Sequence, residues 1–252
     1  MTLPLEILDT ILEHIPIDEK GKQALVVCAL VATWWTGPSQ RRLFSSVVIH
    51  DGNYQRWMDG VASSGSKSHL LKYVRSMWYR CPTLVAETSY WMQNLHNVHS
   101  FDLFGIKIGN ISEREYQTCF SAFRETLTNL TLDDFDTSFS AFVTLVDYFP
   151  NITTLQLHSF EVKPDEGPVP PLSRPFRGRL CIHCFEDDYV EFFDRLAKLD
   201  PQYEELVIGS EFSSDIGTEL AESLYQIGAN TVKYLRLTAD LEREHLYETP
   251  PS

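Results

Sequence analysis

The fold is decided by residues 127–157, which read LTNLTLDDFDTSFSAFVTLVDYFPNITTLQL. This stretch begins and ends with the same apolar spacing: Leu127, Leu130 and Leu132, then Ile152, Leu155 and Leu157. Alternation of this kind is typical of a short strand with one buried face. Between the two triplets, the apolar residues from Phe139 to Phe149 recur at the spacing of one helix face. The stretch therefore predicts two parallel strands joined by a helix.

The same triplet recurs along most of the chain. The eight copies are identified by their middle positions, Val47, Met77, Phe101, Leu130, Leu155, Leu180, Leu206 and Leu235. One copy is weaker, because Arg177 takes its first apolar position. Neighbouring copies are 24–30 residues apart, close to the period of roughly 20–29 residues of leucine-rich repeats. Further helix faces are predicted over 116–127, 189–199 and 216–227. We therefore expect an α/β fold, with a leucine-rich-repeat-like solenoid over residues 47–238 that has a parallel sheet and outer helices.

This array is degenerate, because the asparagine usual in the repeat consensus is mostly missing. A non-repetitive α/β domain with evenly spaced strands is the alternative. The proline-rich segment from Lys163 to Arg179 interrupts the pattern, and it predicts a loop that is either an insertion or a lip over a binding face. Residues 239–252 form a short polar tail.

Residues 1–46 have a different pattern. After Pro4, which the first turn of a helix tolerates, apolar residues recur every four positions up to Ile15, and Pro16 ends this helix. Every residue from Ala24 to Ala32 is apolar, yet the segment is far shorter than the roughly 20 residues that span a bilayer. We expect Gly37-Pro38 to end this second helix. A helix that is apolar all round must be covered all round, either by the rest of this chain or by a partner.

This head resembles an F-box. The resemblance is carried by Leu3-Pro4-Leu5-Glu6-Ile7-Leu8, Cys28-Ala29-Leu30-Val31, Trp35 and Leu43-Phe44, in that order. Its end at Arg41-Arg42-Leu43-Phe44, which runs straight into a predicted strand, resembles the expanded F-box families of basidiomycete, mushroom-forming fungi. The resemblance implies a three-helix module that docks on the small adaptor subunit of a cullin–RING (SCF-type) ubiquitin ligase, while the rest of the chain holds a protein substrate.

The resemblance also implies which residues contact the adaptor. These are Leu3, Pro4, Ile7, Leu8, Ile11, Leu25, Leu30, Val31 and Trp35. Two departures are present: Ala32 stands where many relatives have cysteine, and the Trp34-Trp35 doublet offers two rings for one family position, of which we prefer Trp35. On the strands, the alternate residues Thr131, Gln156, Val207 and Arg236 are expected to be exposed and to face a protein substrate.

Composition excludes several classes of function. The 252-residue chain has a formal net charge of −14, which disfavours binding to nucleic acid or to anionic membranes. Five cysteines without framework spacing fit a reducing compartment, and neither a signal peptide nor a membrane span is predicted. We therefore expect a cytoplasmic or nuclear protein.

Candidate catalytic groups are sparse, so we expect no enzymatic activity, no metal and no cofactor. Cys181-Ile182-His183-Cys184 offers two thiols but no partner pair for a closed zinc site. The acidic clusters Asp133-Asp134 and Glu186-Asp187-Asp188 are expected at solvated helix starts, where acidic side chains are favoured. A small α/β enzyme that uses these groups, or a repeat scaffold without ligase binding, is the alternative.

Overall fold

A computed structural model describes residues 4–62, 68–81, 91–105, 113–163, 170–185, 189–199, 202–209 and 232–238. Two compact units divide the chain. The first comprises residues 1–104 and 111–127, and the second comprises residues 105–110 and 128–252. Residues 1–46 therefore share a unit with the first three strands, and their independence as a domain stays a prediction.

The first unit begins with three helices, α1 (Leu5–Glu13), α2 (Glu19–Val31) and α3 (Thr33–Leu43). Strand β1 (Ser46–His50) leads into α4 (Asp51–Trp57), a π-helical turn (Met58–Ala62) and a 3₁₀ turn (Ser68–Tyr73). Strands β2 (Ser76–Arg80) and β3 (Ser100–Phe104) follow, then α5 (Glu113–Phe120) with a 3₁₀ turn at Ser121–Phe123. The strand β2 pairs with β1 and with β3, and both pairings are parallel.

The second unit contains β4 (Asn129–Ser138), α6 (Phe139–Tyr148), β5 (Thr154–Lys163) and β6 (Arg177–Phe185). It continues with α7 (Tyr189–Ala197), β7 (Gln202–Gly209) and β8 (Tyr234–Thr238). These five strands form four parallel pairings between strands that follow each other in the sequence, from β4–β5 to β7–β8. The mixed α/β class with parallel strands is therefore confirmed, and each of the eight apolar triplets contributes its last two positions to a strand.

The triplets form strands because their apolar residues supply the core. Phe101 and Leu130 lie on buried strand faces, and helical aromatic residues pack onto these faces. In the first unit the ring of Phe101 lies 5.2 Å from both Phe120 and Phe123, measured between ring centroids. In the second unit Phe139 and Phe192 make an edge-to-face contact at 5.7 Å. Such contacts add to the free energy that burial itself provides.

The strands β4 and β5 are longer than the triplets predict, and they turn a corner together. Asp134 and Ser159 have positive φ angles of 50° and 45°, a conformation that aspartate tolerates better than most side chains. Pairing resumes beyond both residues, from Phe135–Phe160 to Ser138–Lys163. The expectation that Asp133 and Asp134 lie at a helix start is therefore wrong, since both lie inside β4. The side chain of Asp136 pairs with Lys163 at 2.9 Å, and α6 is capped by Ser138, whose Oγ accepts a hydrogen bond from the backbone N–H of Ala141.

Two further expectations have clear outcomes. No helix lies among the described residues between β5 and β6, where residues 170–176 are irregular, as the prolines predict. The predicted helix over 216–227, the acidic cluster 186–188 and the tail 239–252 lie outside the described residues. Among the residues that the structure describes, no helix has both the length and the apolar character needed to cross a bilayer.

Candidate docking surface

The three head helices are positioned by local sequence. Pro4 precedes the first turn of α1, where its missing N–H costs nothing. Asp18 caps α2, because its Oδ1 accepts a hydrogen bond from the backbone N–H of Gly21 at 2.7 Å. A Cβ at Gly21 would collide with the carbonyl oxygen of Pro16, so glycine allows the chain to pass closely from α1 to α2.

The break between α2 and α3 does not lie where glycine and proline predict it. Gly37 and Pro38 lie inside α3, and the helical backbone is interrupted earlier, at the extended residue Ala32. The hydroxyl of Thr36 donates a hydrogen bond to the carbonyl of Ala29 at 2.9 Å, which satisfies one of the acceptors at the end of α2. Pro38 removes one backbone donor from α3, and its ring is buried in the head.

The head has a small core of its own. Leu8, Leu12 and Leu25 are almost completely buried, and Ile15, Ile17, Cys28, Trp35 and Leu43 pack around them. Polar contacts hold α3 against α1: Arg41 pairs with Asp9 at 3.0 Å, and the Arg42 guanidinium donates to the carbonyl oxygens of Glu13 and Ile15. The ion pair is exposed, so its contribution to stability is small.

The head also exposes a large part of its apolar side chains. On α2, Leu30 is 81% exposed and Val31 is 69% exposed, although both belong to the sequence segment from Ala24 to Ala32 in which every residue is apolar. Val26 and Val27 are exposed one turn earlier, so these four residues form one continuous stripe along the helix. We call it the α2 stripe. The helix is therefore covered by its own chain on one side only.

A second exposed row lies on α1. Ile7 and Ile11 are about half exposed, and their spacing of four residues places them on one helix face. Leu5 on the same helix and Trp34 at the start of α3 are also exposed. Apolar exposure of this kind on a soluble protein marks interaction sites more often than isolated surface residues do.

The structure divides the residues expected to contact an adaptor into two groups. Pro4, Ile7, Ile11, Leu30 and Val31 are exposed and available to a partner. By contrast, Leu8 and Leu25 are buried in the head core, and Trp35 is half-buried against it. These three support the surface and do not form it. Leu3 lies outside the described residues.

The sequence comparison with an F-box did not single out Val26, Val27 or Trp34. The two valines follow Leu25, so an assignment of Leu25 to the core would have placed them outward on the same helical turn. Trp34 and Trp35 make an edge-to-face contact with ring centroids 5.5 Å apart. Trp34 is the outer ring of the pair, whereas Trp35 packs onto the core.

The four residues expected to face a substrate lie in one row across the sheet of the second unit. Thr131 is paired with Gln156, Gln156 with Cys181, Cys181 with Val207, and Val207 with Arg236. Arg236 is exposed, and Thr131 and Gln156 are half-buried. The expectation that Val207 is exposed is wrong, because it is only 3% exposed. Its short side chain lies in the middle of a parallel sheet between two flanking strands.

The rows next to this one are charged and titratable. His158 and His183 stack at 4.4 Å with an interplanar angle of 15°, and Arg179 pairs with Glu205 at 3.5 Å. Burial, together with the nearby His158 and Arg179, lowers the pKa of His183 to about 4. His183 is therefore neutral at pH 7.

The strand face of the first unit contains residues that the sequence did not point to. The Arg80 guanidinium lies 5.4 Å from the Trp78 ring centroid and 5.5 Å from that of Phe104. Val48, which is paired with Trp78 on the neighbouring strand, is exposed. Tryptophan and arginine are the residue types that dominate the energetics of protein interfaces.

The alternative of an enzyme gains no support from Cys181. This residue is buried, and burial raises the pKa of its thiol, whereas a nucleophilic cysteine needs a lowered pKa and access to substrate. Among the described residues no group of three or more histidine, cysteine or acidic side chains is arranged to hold a metal ion.

Comparison with known proteins adds no further assignment. The sequence matches no protein-family model, and no curated protein matches it significantly. The exposed head residues and the two strand faces are therefore the features from which a function has to be argued.

Proposed function

We propose that this chain is a non-catalytic, substrate-recruiting subunit of an SCF-type cullin–RING ubiquitin ligase. Its head acts as an F-box and docks on the small adaptor subunit, and its repeats bind a protein substrate. The chain performs no chemistry in this role. It raises the local concentration of the substrate near the ubiquitin-conjugating enzyme, which converts a bimolecular encounter into an intramolecular one. The ligase acts in the cytoplasm or nucleus.

The observation that carries this proposal is the α2 stripe. A segment that is apolar at nine successive positions leaves its last turns exposed in the free chain, with Leu30 and Val31 at 81% and 69%. Exposure of such side chains to water opposes solubility and is relieved when a partner covers them. Two of the four stripe residues, Leu30 and Val31, are positions where the F-box resemblance implies adaptor contact, and Val26 and Val27 extend the same face by one turn.

The finer fold assignment belongs to the same proposal. Three helices precede β1, in agreement with the three-helix module that the resemblance implies. The parallel, sequential pairing of strands within each unit and their spacing of 24–30 residues support degenerate leucine-rich repeats. The accessible residues of the row, Thr131, Gln156 and Arg236, and the cluster of Trp78, Arg80 and Phe104 are the substrate-facing surfaces that this assignment implies.

The test is binding of the purified full chain to the purified adaptor subunit, measured by isothermal titration and by size-exclusion chromatography. We expect a stable one-to-one complex. Leu30→Glu should abolish it, because the complex would bury an unpaired carboxylate. Leu235→Glu is the matched control, since Leu235 is also exposed (58%) but lies in the other unit, and this variant should bind like the unchanged chain.

Three outcomes would contradict the proposal. One is a soluble monomer that shows no binding to the adaptor at micromolar concentration, which would leave a repeat scaffold without ligase binding. Another is equal loss of binding in both variants, and the last is unaltered binding by Leu30→Glu. A pull-down from proteasome-inhibited cells, with and without residues 1–46, then identifies substrates, which should be retained by the chain that lacks the head.

A further inference from the structure

A cleft of about 640 Å³ lies in the second unit beside the proline-rich segment. Its walls are the end of α6, the turn before β5 and residues 172–177 before β6. This volume falls in the range of about 300–1,000 Å³ that is typical of ligand sites. The cleft is separate from the head and from the row of strand residues described above, since it includes none of those residues.

The floor of the cleft is apolar and rigid. It is formed by Val146, Phe149, Ile152 and Phe176, all of which are largely buried. The backbone beneath it is already paired: the carbonyl of Thr128 accepts from the N–H groups of Thr153 and Thr154, and that of Phe176 accepts from Gln202. Recognition in the cleft therefore depends on side chains, because these carbonyls are occupied.

The outer wall is fixed by a specific contact. Both the backbone N–H and the hydroxyl of Ser173 donate to Oδ1 of Asp147, at 2.8 and 2.7 Å. This double hydrogen bond to a carboxylate holds the segment that carries Leu172, Arg174 and Pro175 along the cleft. The described residues 172–175 thus form one wall of the cleft.

The charges of the lining select the ligand. The lining contains two arginines, Arg174 and Arg177, and one carboxylate, Asp147, which is already engaged by Ser173. Arg177 is oriented by a hydrogen bond from its Nε to Oε1 of Gln202 at 3.0 Å. A cationic rim is unusual in a chain whose formal net charge is −14, and it favours an acidic group on the ligand.

The shape of the cleft favours a peptide. The residues Thr128, Thr153 and Phe176 in its lining each precede one of three neighbouring strands. Strand spacing of about 4.8 Å gives the cleft a length of roughly 10 Å, which corresponds to about three residues of extended chain. We propose that this cleft binds an extended peptide segment of another protein that carries an apolar side chain next to an acidic one.

The experiment uses the purified full chain without the adaptor. Random dodecapeptides displayed on phage are selected for binding, and the most enriched peptide is synthesised with a fluorescent label and titrated by anisotropy. We expect enriched peptides to combine an aromatic or aliphatic residue with Asp or Glu within three positions. Arg174→Glu and Arg177→Glu should each weaken binding at least tenfold, and the affinity should fall as the salt concentration rises.

Matched variants separate this site from the others. Lys198→Glu makes the same charge change at an exposed cation of the same unit outside the cleft, and it should leave the peptide affinity within twofold. Leu30→Glu should also leave it unchanged, so that failure of adaptor docking and failure of this site are distinguishable. Urea unfolding verifies that each variant is folded, and Arg174→Gln replaces Arg174→Glu if the latter is not.

The proposal is overturned if selection enriches no peptide. It is also overturned if the enriched peptides lack acidic residues, or if Lys198→Glu weakens binding and Arg174→Glu and Arg177→Glu do not.

Discussion

Leu25 and Leu30 lie five residues apart on α2, and the structure assigns them opposite roles. Leu25 is fully buried in the head core, whereas Leu30 is 81% exposed. We therefore expect Leu25→Ala to lower the stability of the free chain and Leu30→Ala to leave it nearly unchanged. Comparing the two variants tests the opposite burial of these leucines without a partner, because stability depends only on which leucine the chain itself covers.

The expected magnitudes follow from burial. Truncation of a fully buried leucine to alanine costs about 2–5 kcal/mol. We expect Leu25→Ala to lie at the low end, about 2–3 kcal/mol, because the head core is small and several of its neighbours are only partly buried. With a urea dependence of about 2 kcal/mol per molar, the unfolding midpoint should fall by roughly 1–1.5 M. Leu30→Ala should remain within about 0.5 kcal/mol, as surface substitutions usually do.

The same exposure predicts the effect on binding. Complete burial of a leucine side chain provides about 1.5–3 kcal/mol, so covering the exposed part of Leu30 would contribute roughly 1–2.5 kcal/mol. Leu30→Ala should then weaken adaptor binding by about 5- to 70-fold. The assay combines urea unfolding, followed by tryptophan fluorescence, with titration of the adaptor. Equal destabilisation by the two variants would refute the reasoning, because Leu30 would then be covered by the chain itself.

Three further predictions concern single residues. Gly178→Ala should destabilise the second unit by at least about 2 kcal/mol in urea unfolding, because Gly178 has φ +121° and an added Cβ would collide with the Thr153 carbonyl oxygen. Gly37→Ala is the contrasting variant, because the space around Gly37 in α3 is open. It should stabilise the chain by roughly 0.5–1 kcal/mol. Asp18→Ala should cost about 1 kcal/mol through loss of the α2 cap, and an unchanged midpoint would contradict that role. Because the pKa of His183 is lowered in the folded state, the unfolded chain binds more protons between about pH 4 and pH 6.5. The free energy of unfolding should therefore fall as the pH drops through this range. His183→Gln should reduce this fall, and identical pH profiles for the variant and the unchanged chain would contradict the role of His183.

The repeated strands were predictable from sequence because their signal is local and recurrent. The triplet with Leu155 and Leu157 requires only that alternate residues face one side, and the structure places both on the buried face of β5. The helix over 139–149 was predictable for the same reason, since five apolar residues share one face. Neither prediction required knowledge of which surface covers the element.

The sequence did not predict which residues of a broad apolar helix stripe are buried and which are exposed. Ile7 and Leu8 are adjacent and equally apolar, yet Leu8 is buried and Ile7 is half exposed. Periodicity identifies a stripe but not the neighbour that covers it. The buried Val207 is a similar case, because its exposure depends on the side chains of two flanking strands and not on its own position along β7.

Backbone breaks were the least predictable features. Gly37-Pro38 is a strong signal for a turn, but α3 continues through it and Pro38 is buried within the helix. Conversely, nothing in Asp133-Asp134 signals that the strand turns and continues, since this depends on a matching positive φ at Ser159 in the neighbouring strand.

The shared corner of β4 and β5 has a consequence for how this sequence can change over time. Asp134 and Ser159 occupy equivalent places on neighbouring strands, and the rungs on both sides of them are in register. If either strand lost or gained one residue before this corner, its positive-φ residue would shift by one position along the strand. It would then no longer lie opposite the positive-φ residue of the neighbouring strand. A matching change in β4 alone would not restore order after a change in β5, because β5 is also paired with β6 on both sides of Ser159. Insertions and deletions at this place are therefore constrained by all three strands together.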